Sequence, residues 1–303
     1  MRGMKAGLKN WPKSVEKKSV ENRRCRSNII FMNKFVLTER AIGHVLGITK
    51  YLLILIVSLS NTVAVLADDT EVVRQRLHIT TGYSQAPYFI SEDSGIVSEI
   101  LRAVFADSQY EYELEFLANS VALQKFNNKE VDGITLVRPS MVVESFLSEP
   151  YVIFQNSAIH LKKNSYKIKK IPDLANYRVL AFSNAVKYLP GEFEEMAQAN
   201  PRYRTISKQM DQVAELFHES TDVIVADKAI YQFYHKKLIY QSKLDKRYAE
   251  EVTFNDVFPP SAYSSAFHSE EVRDFFNRGL TRIENNGTLV KIYRKYTELM
   301  TSY

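Results

Sequence analysis

The chain has 303 residues, with 40 Lys and Arg against 35 Asp and Glu, 45% hydrophobic residues and one cysteine. That mix excludes a wholly disordered chain, a collagen-like chain and a disulfide scaffold, and the length permits one large domain or two of about 100–150 residues each. The net charge of +5 suggests a nucleic-acid binder until its distribution is read.

Residues 1–67 hold twelve Lys and Arg and three acids, or +9. The 28 basic and 32 acidic residues left in 68–303 give −4. The body lacks a basic footprint, so no nucleic-acid partner is expected. Lys50 precedes an uncharged run from Tyr51 to Ala67, and Asp68-Asp69 follow it. Val65-Leu66-Ala67 places small residues one and three positions before a cut, as a secretory signal peptide does. The run is at the short end for a spanning helix, and Asn61 and Thr62 weaken it further. The competing reading is an uncleaved anchor with a basic cytoplasmic tail. Met32 is an alternative start, giving Met32-Asn33-Lys34 as a shorter opening. Cys25 lies upstream of the apolar run, so the body has neither a disulfide nor a thiol nucleophile, which fits export. His160, His218, His235 and His268 are scattered without ligand spacing, and neither a metal nor a cofactor is expected.

In the body, Arg76–Thr81 reads as a strand, and Gly82 and Pro87 mark a loop. Ile96, Val97, Ile100, Leu101, Val104 and Phe105 recur at helical spacing over 95–105. Glu111–Phe116 alternates acid and apolar residues, as a half-buried strand does. Ser120 is the expected cap of a helix to Phe126, and Val131–Val137 is the next strand. This β-α-β-α-β order predicts a mainly parallel sheet covered by helices. The rhythm then repeats. Strands are expected at Tyr177–Phe182, Tyr203–Ile206 and Asp222–Ala226. Helices are expected over Asn184–Glu195, Gln209–Phe217 and Lys228–Tyr234. The basic run Lys162–Lys170 between the two units reads as a solvated connection. A helix from Glu271 to Glu284 stops at Asn286-Gly287, with glycine as a left-handed cap, and Thr288 restarts another.

Several segments resemble the family 3 extracellular solute-binding proteins, the periplasmic receptors of polar amino-acid importers. Leu77–Phe89, "LHITTGYSQAPYF", is similar to the family's opening strand and "PPF" loop, and Phe146–Tyr151 to its "F-S-x-P-Y" motif. Ile171–Val179 resembles the start of the second lobe, and Asn286–Tyr296, "NGTLVKIYRKY", resembles the terminal "D-G-T-L-x-K-I-Y-x-K-Y". The resemblance implies an α/β, two-lobed periplasmic binding protein type 2 fold, each lobe a mainly parallel sheet flanked by helices, with a two-strand hinge. Lobe one would be 68–156 plus 264–303, and 157–263 would hold the hinge and lobe two. The hinge strands would lie near Ser157–Leu161 and Ala262–Ala266. Ligand contact with both lobes would favour closure.

The cleft is expected at the carboxyl ends of the strands. The resemblance implies a carboxylate-binding Arg after the third strand and an ammonium-binding Asp in lobe two. Asp227 sits at the Asp position and either binds an ammonium or caps the following helix. The Arg position falls on Met141, in a segment about three residues short. Arg138 is the nearby replacement, and either forks onto a ligand carboxylate or pairs with Glu144 or Glu149. Asn184 opens a helix where backbone N–H groups favour an anion, or merely caps it. The stacking aromatic maps onto Gln85, which leaves Tyr83 as the better stacking face and Tyr88 as wall or packing. Thr135 either offers its hydroxyl near Arg138 or points into the sheet.

The expected function is periplasmic capture of a small polar, anionic or amino-acid-like ligand. Its partners would be the membrane subunits of an ABC-type importer or a membrane sensor, and the chain is expected to act as a monomer. The alternatives are a dehydratase-like enzyme on the same fold and a membrane-anchored sensor. An enzyme would need an acid or base in the cleft, for which Glu99 and Asp227 are the candidates.

Overall fold

The computed structural model of the protein describes residues 74–82, 85–106, 108–242 and 245–301. The leader, with Cys25, Met32 and the expected cut after Ala67, lies outside the described residues, as does Tyr83.

In chain order, β1 (Gln75–Thr81), α1 (Ile96–Phe105), β2 (Tyr110–Phe116), α2 (Asn119–Asn127) and β3 (Gly133–Val137) follow the expected alternation. Both β2 and β3 pair with β1 in parallel. Ile96, Val97, Ile100, Leu101 and Val104 make α1's buried face because they recur every three or four residues. Gly95 precedes α1 at φ 132°, and a Cβ there would lie 2.4 Å from the Tyr88 carbonyl oxygen. Only glycine fits so close to the Tyr88 loop in that conformation. Ser120, the expected cap, lies inside α2; the capping position is Ala118, without a side-chain bond.

Two short strands, β4 (Phe146–Leu147) and β5 (Val152–Phe154), lead to β6 (Asn156–Leu161) in a second sheet. There follow β7 (Val179–Phe182), α3 (Ala185–Tyr188), α4 (Gly191–Ala199), β8 (Tyr203–Ile206), α5 (Gln209–Phe217) and β9 (Val223–Asp227). The single helix expected over Asn184–Glu195 is thus two. Leu189 is extended and Pro190 has no N–H to continue the ladder, so the helix stops before them. Next come α6 (Lys228–Gln241), longer than expected, and β10 (Val252–Asn255). The chain ends with β11 (Ser261–Phe267), α7 (Glu270–Asn285) and α8 (Thr288–Thr301). Gly287, at φ 76°, makes the left-handed stop between these helices.

The first sheet runs β2-β1-β3-β11-β4, with β5 also on β11; the second runs β10-β6-β9-β7-β8. Each has three parallel strands at one end, and the antiparallel members are β4, β5 and β11 in one and β6 and β10 in the other. β9 is buried throughout because both faces are covered. Val223 and Val225 pack with Phe193 and Met196 on one face, and Ile224 and Ala226 with Val213 and Phe217 on the other. The chain crosses between sheets at Gln155 and again over 256–260, because β6 and β11 each belong wholly to one sheet. The crossings therefore flank the segments Ser157–Leu161 and Ala262–Ala266 rather than running through them. Among the described residues no helix is long and apolar enough to cross a membrane.

Candidate functional site

A cavity of about 120 Å³ opens where the strand ends of the two lobes face each other. That is room for a small molecule, not a polymer. Lobe one contributes Thr81, Gln85, Asn119, Thr135 and Met141, and lobe two Phe182, Ser183, Tyr188, Gln209 and Asp227. Among the described lining residues none is Lys or Arg, and Asp227 is the only acid.

Tyr188 joins the walls. Its hydroxyl accepts from Asn119 Nδ2 at 3.1 Å, and its backbone carbonyl accepts from Arg138 Nη1 at 3.1 Å. Asn119 and Arg138 belong to lobe one, so both bonds cross the cleft. The guanidinium carbon of Arg138 also lies 5.8 Å from the Tyr188 ring centre and 5.7 Å from that of Tyr263, so two rings fix its plane. Arg138 stands beside the lining residues Val137, Met141, Tyr188 and Tyr263 rather than among them. Its Nε is buried without a hydrogen-bond partner. The surface pairing weighed from sequence does not form: Glu144 meets Lys129 at 3.5 Å.

Asp227 ends β9 and caps α6. Its Oδ1 accepts from Ala229 N at 3.0 Å, Ile230 N at 3.1 Å and the Tyr88 hydroxyl at 3.2 Å, and its Oδ2 from Gln155 N at 2.8 Å. Three donors share Oδ1 and one reaches Oδ2, so donors from both lobes and the crossing strand hold the carboxylate in place. The capping alternative is thus realised, and Oδ2, with one donor, keeps an acceptor site. Burial, only partly offset by those four bonds, pushes the carboxyl up to about 6. The same burial and the Asp227 charge raise the Tyr88 hydroxyl well above its ordinary value. Tyr88 is 4% exposed and its ring sits 4.2 Å from that of Phe154, so it packs beneath the cleft.

Thr135 lines the cavity, and its hydroxyl is bonded to that of Tyr151, which also meets Ser265 Oγ at 2.9 Å. Its hydroxyl thus has a partner within lobe one. Next to it, Leu136 has φ 58° where β3 and β11 shift register, an uncommon backbone for a branched residue beside a site. Asn184 corrects an expectation. It is exposed at φ 62° and its side chain makes no cap bond, and α3 behind it has four residues, too few to build an N-terminal anion site. Ser183, its neighbour, reaches the cavity instead. Gln85 lines the wall where the resemblance puts an aromatic. Glu99 is not a cleft group. Burial opposes its ionisation, but Lys295 Nζ and the Tyr296 hydroxyl, each 2.5 Å away, outweigh that and hold its carboxyl below the ordinary value.

Sequence reasoning missed Thr81, Asn119, Tyr188 and Gln209. Thr81 ends a strand and Gln209 opens a helix, so the strand-end rule pointed to both. Tyr188 carried no such signal, since its place depends on the break at Pro190.

The model of the bacterial extracellular solute-binding proteins, family 3, matches residues 77–298. The chain belongs to that family. No curated protein matches the sequence. Solved structures share the fold of this family 3 protein at low identity. An ancestral arginine-binding protein bound to arginine is 18% identical, with TM-score 0.58, covering 74% of this chain and 99% of that one. The arginine-, lysine-, histidine-binding protein ArtJ of Geobacillus stearothermophilus is 16% identical, with TM-score 0.56, over 73% and 95%. A histidine kinase sensor domain similar to periplasmic binding proteins is 15% identical, with TM-score 0.58, over 74% and 96%. Two lobes around a small-molecule cleft are thus the architecture this chain shares with them.

Proposed function

We propose that this family 3 protein is exported to the periplasm and captures a small polar solute carrying an acidic group, which it delivers to an ABC-type importer or to a membrane sensor. The observation that carries the reading is Arg138. It reaches from lobe one to the Tyr188 carbonyl of lobe two, lies over the rings of Tyr188 and Tyr263, and keeps a buried Nε–H without an acceptor. An anion entering beside Tyr188 would supply that acceptor. The planar fork would then grip it with charge-assisted bonds while the lobes stay together. An ammonium is not required, because Asp227 already has a structural role as the cap of α6 and the acceptor for Gln155 and Tyr88. Export rests on the apolar run ending at Ala67 and on the extracellular character of the family.

The test is a thermal-shift screen of amino acids, dicarboxylates, amines and sugars on wild type and Arg138→Ala. Acid-bearing solutes should raise the wild-type melting temperature and lose most of that effect in the variant. Equal stabilisation of both proteins by sugars or amines would refute the anion reading.

A further inference from the structure

Two buried polar atoms of the cavity wall, one from each lobe, have no hydrogen-bond partner: Thr81 Oγ1 and Gln209 Oε1. Thr81 is 1% exposed. Buried polar groups in folded proteins are nearly always paired, and an unpaired one costs stability. Neither atom serves the framework. The neighbouring Thr80 hydroxyl is bonded to the Glu115 carbonyl at 3.2 Å, so β1 already has its hydroxyl tie. Along α5, Gln212 donates from Nε2 to the Leu180 and Val225 carbonyls at 2.8 and 3.0 Å, which fastens that helix to the sheet. Other unpaired atoms, such as the hydroxyls of Tyr203 and Tyr231, sit on rings packed into the cores of lobe two. Thr81 and Gln209 differ in lining the cavity.

We infer that Thr81 and Gln209 form a recognition pair for a second polar group of the ligand, and that this group is an uncharged carboxamide or hydroxyl. The inference rests on the reading that the ligand's acidic group is held at Arg138. A threonine hydroxyl donates and accepts, and a glutamine amide oxygen accepts. A carboxamide or hydroxyl offers a donor and an acceptor and satisfies both atoms at once. An ammonium carries donors only, so it would leave the Thr81 O–H without an acceptor, and the one acid of the lining, Asp227, is already engaged by Ala229, Ile230, Gln155 and Tyr88. A second anionic group would face the Gln209 oxygen with no Lys or Arg among the lining residues to balance it. An apolar group would leave both atoms unpaired, which is how a site built for hydrogen bonds rejects the analogue lacking them. Because the pair is drawn from both lobes, satisfying it also favours the closed form.

Calorimetry with five four-carbon acids tests this: succinamate, 4-hydroxybutyrate, 4-aminobutyrate, succinate and butyrate. The proteins are wild type, Thr81→Val, Gln209→Met and Arg138→Ala. Wild type should bind succinamate or 4-hydroxybutyrate at least about tenfold more tightly than the other three. Thr81→Val and Gln209→Met should shrink that gap to about threefold or less while binding butyrate no worse. Without ligand, both variants should melt no lower than wild type, since each removes an atom that had no partner. The inference is overturned by a gap that persists in both variants, by a preference for 4-aminobutyrate, by binding of none of the five acids, or by a lower ligand-free melting temperature. Arg138→Ala separates the two readings. If it binds succinamate as wild type does, with the gap intact, the acidic anchor is wrong and the pair stands. If it loses all five while the Thr81 and Gln209 variants keep the gap, the anchor stands and the pair is wrong.

Discussion

Replacing Asp227 by Asn tests the buried structural carboxylate through the pH dependence of stability, and a ligand-binding one through affinity. The folded carboxyl titrates at about 6 against an ordinary value of 3.8. Between those values the folded state holds a proton that the unfolded chain has released. The group's favourable contribution is therefore complete below about pH 4 and is lost as pH rises through 6. A shift of about two units corresponds to roughly 3 kcal/mol. Asn mimics the protonated acid at every pH, and its amide nitrogen fails to accept from Gln155 N–H, a loss of about 1–3 kcal/mol. Asp227→Asn should thus be less stable than wild type near pH 4 and should close most of that gap by pH 7. Urea unfolding of both proteins across that range, compared as a difference, cancels the other titrating groups. A stability difference constant from pH 4 to 7, or one that widens with pH, would refute the argument. If Asp227 instead bound a ligand ammonium as a carboxylate, the variant would lose about tenfold to a hundredfold in affinity for amine-bearing ligands at neutral pH.

Further outcomes follow from other sites. Arg138→Lys should recover only part of the acid binding lost in Arg138→Ala, because a point charge cannot reproduce the fork held between Tyr188 and Tyr263; full recovery in a titration would remove the planar-fork argument. Gly279→Ala should destabilise by about 1–3 kcal/mol, since the new Cβ would lie 2.6 Å from Val104 Cγ1 where α7 crosses α1, and an unchanged denaturation midpoint would contradict that packing. Terminal sequencing of exported protein should find a start at or near Asp68; an intact leader in the membrane fraction would favour the anchor.

The legible parts of the fold were those fixed by local pattern. The face of α1, the alternation in β2 and the stop at Gly287 are all written in neighbouring residues. The antiparallel strands β4, β5 and β10 were not, because they are too short to carry a period, and β6 and β11 were placed only by the family resemblance, since their pairing joins distant segments. The site divides the same way. Asp227 announced its cap by standing before a helix, yet its bonds to Tyr88 and Gln155 depend on three separate elements meeting. Arg138 was visible as the cation after β3, but its partner, the Tyr188 carbonyl, exists only because Pro190 ends α3 at that turn. The helix start at Asn184 was placed correctly, but the left-handed backbone there, the missing cap bond and the four-residue length of the helix were not legible from the sequence.

Native mass spectrometry of the exported protein, purified without denaturation, bears most directly on capture of a small solute between the lobes. The account predicts one bound small molecule per chain, carrying an acidic group and released on unfolding, and its absence from Arg138→Ala prepared in parallel. A ligand-free mass for wild type, together with no melting shift from any acid-bearing solute in the screen, would contradict it.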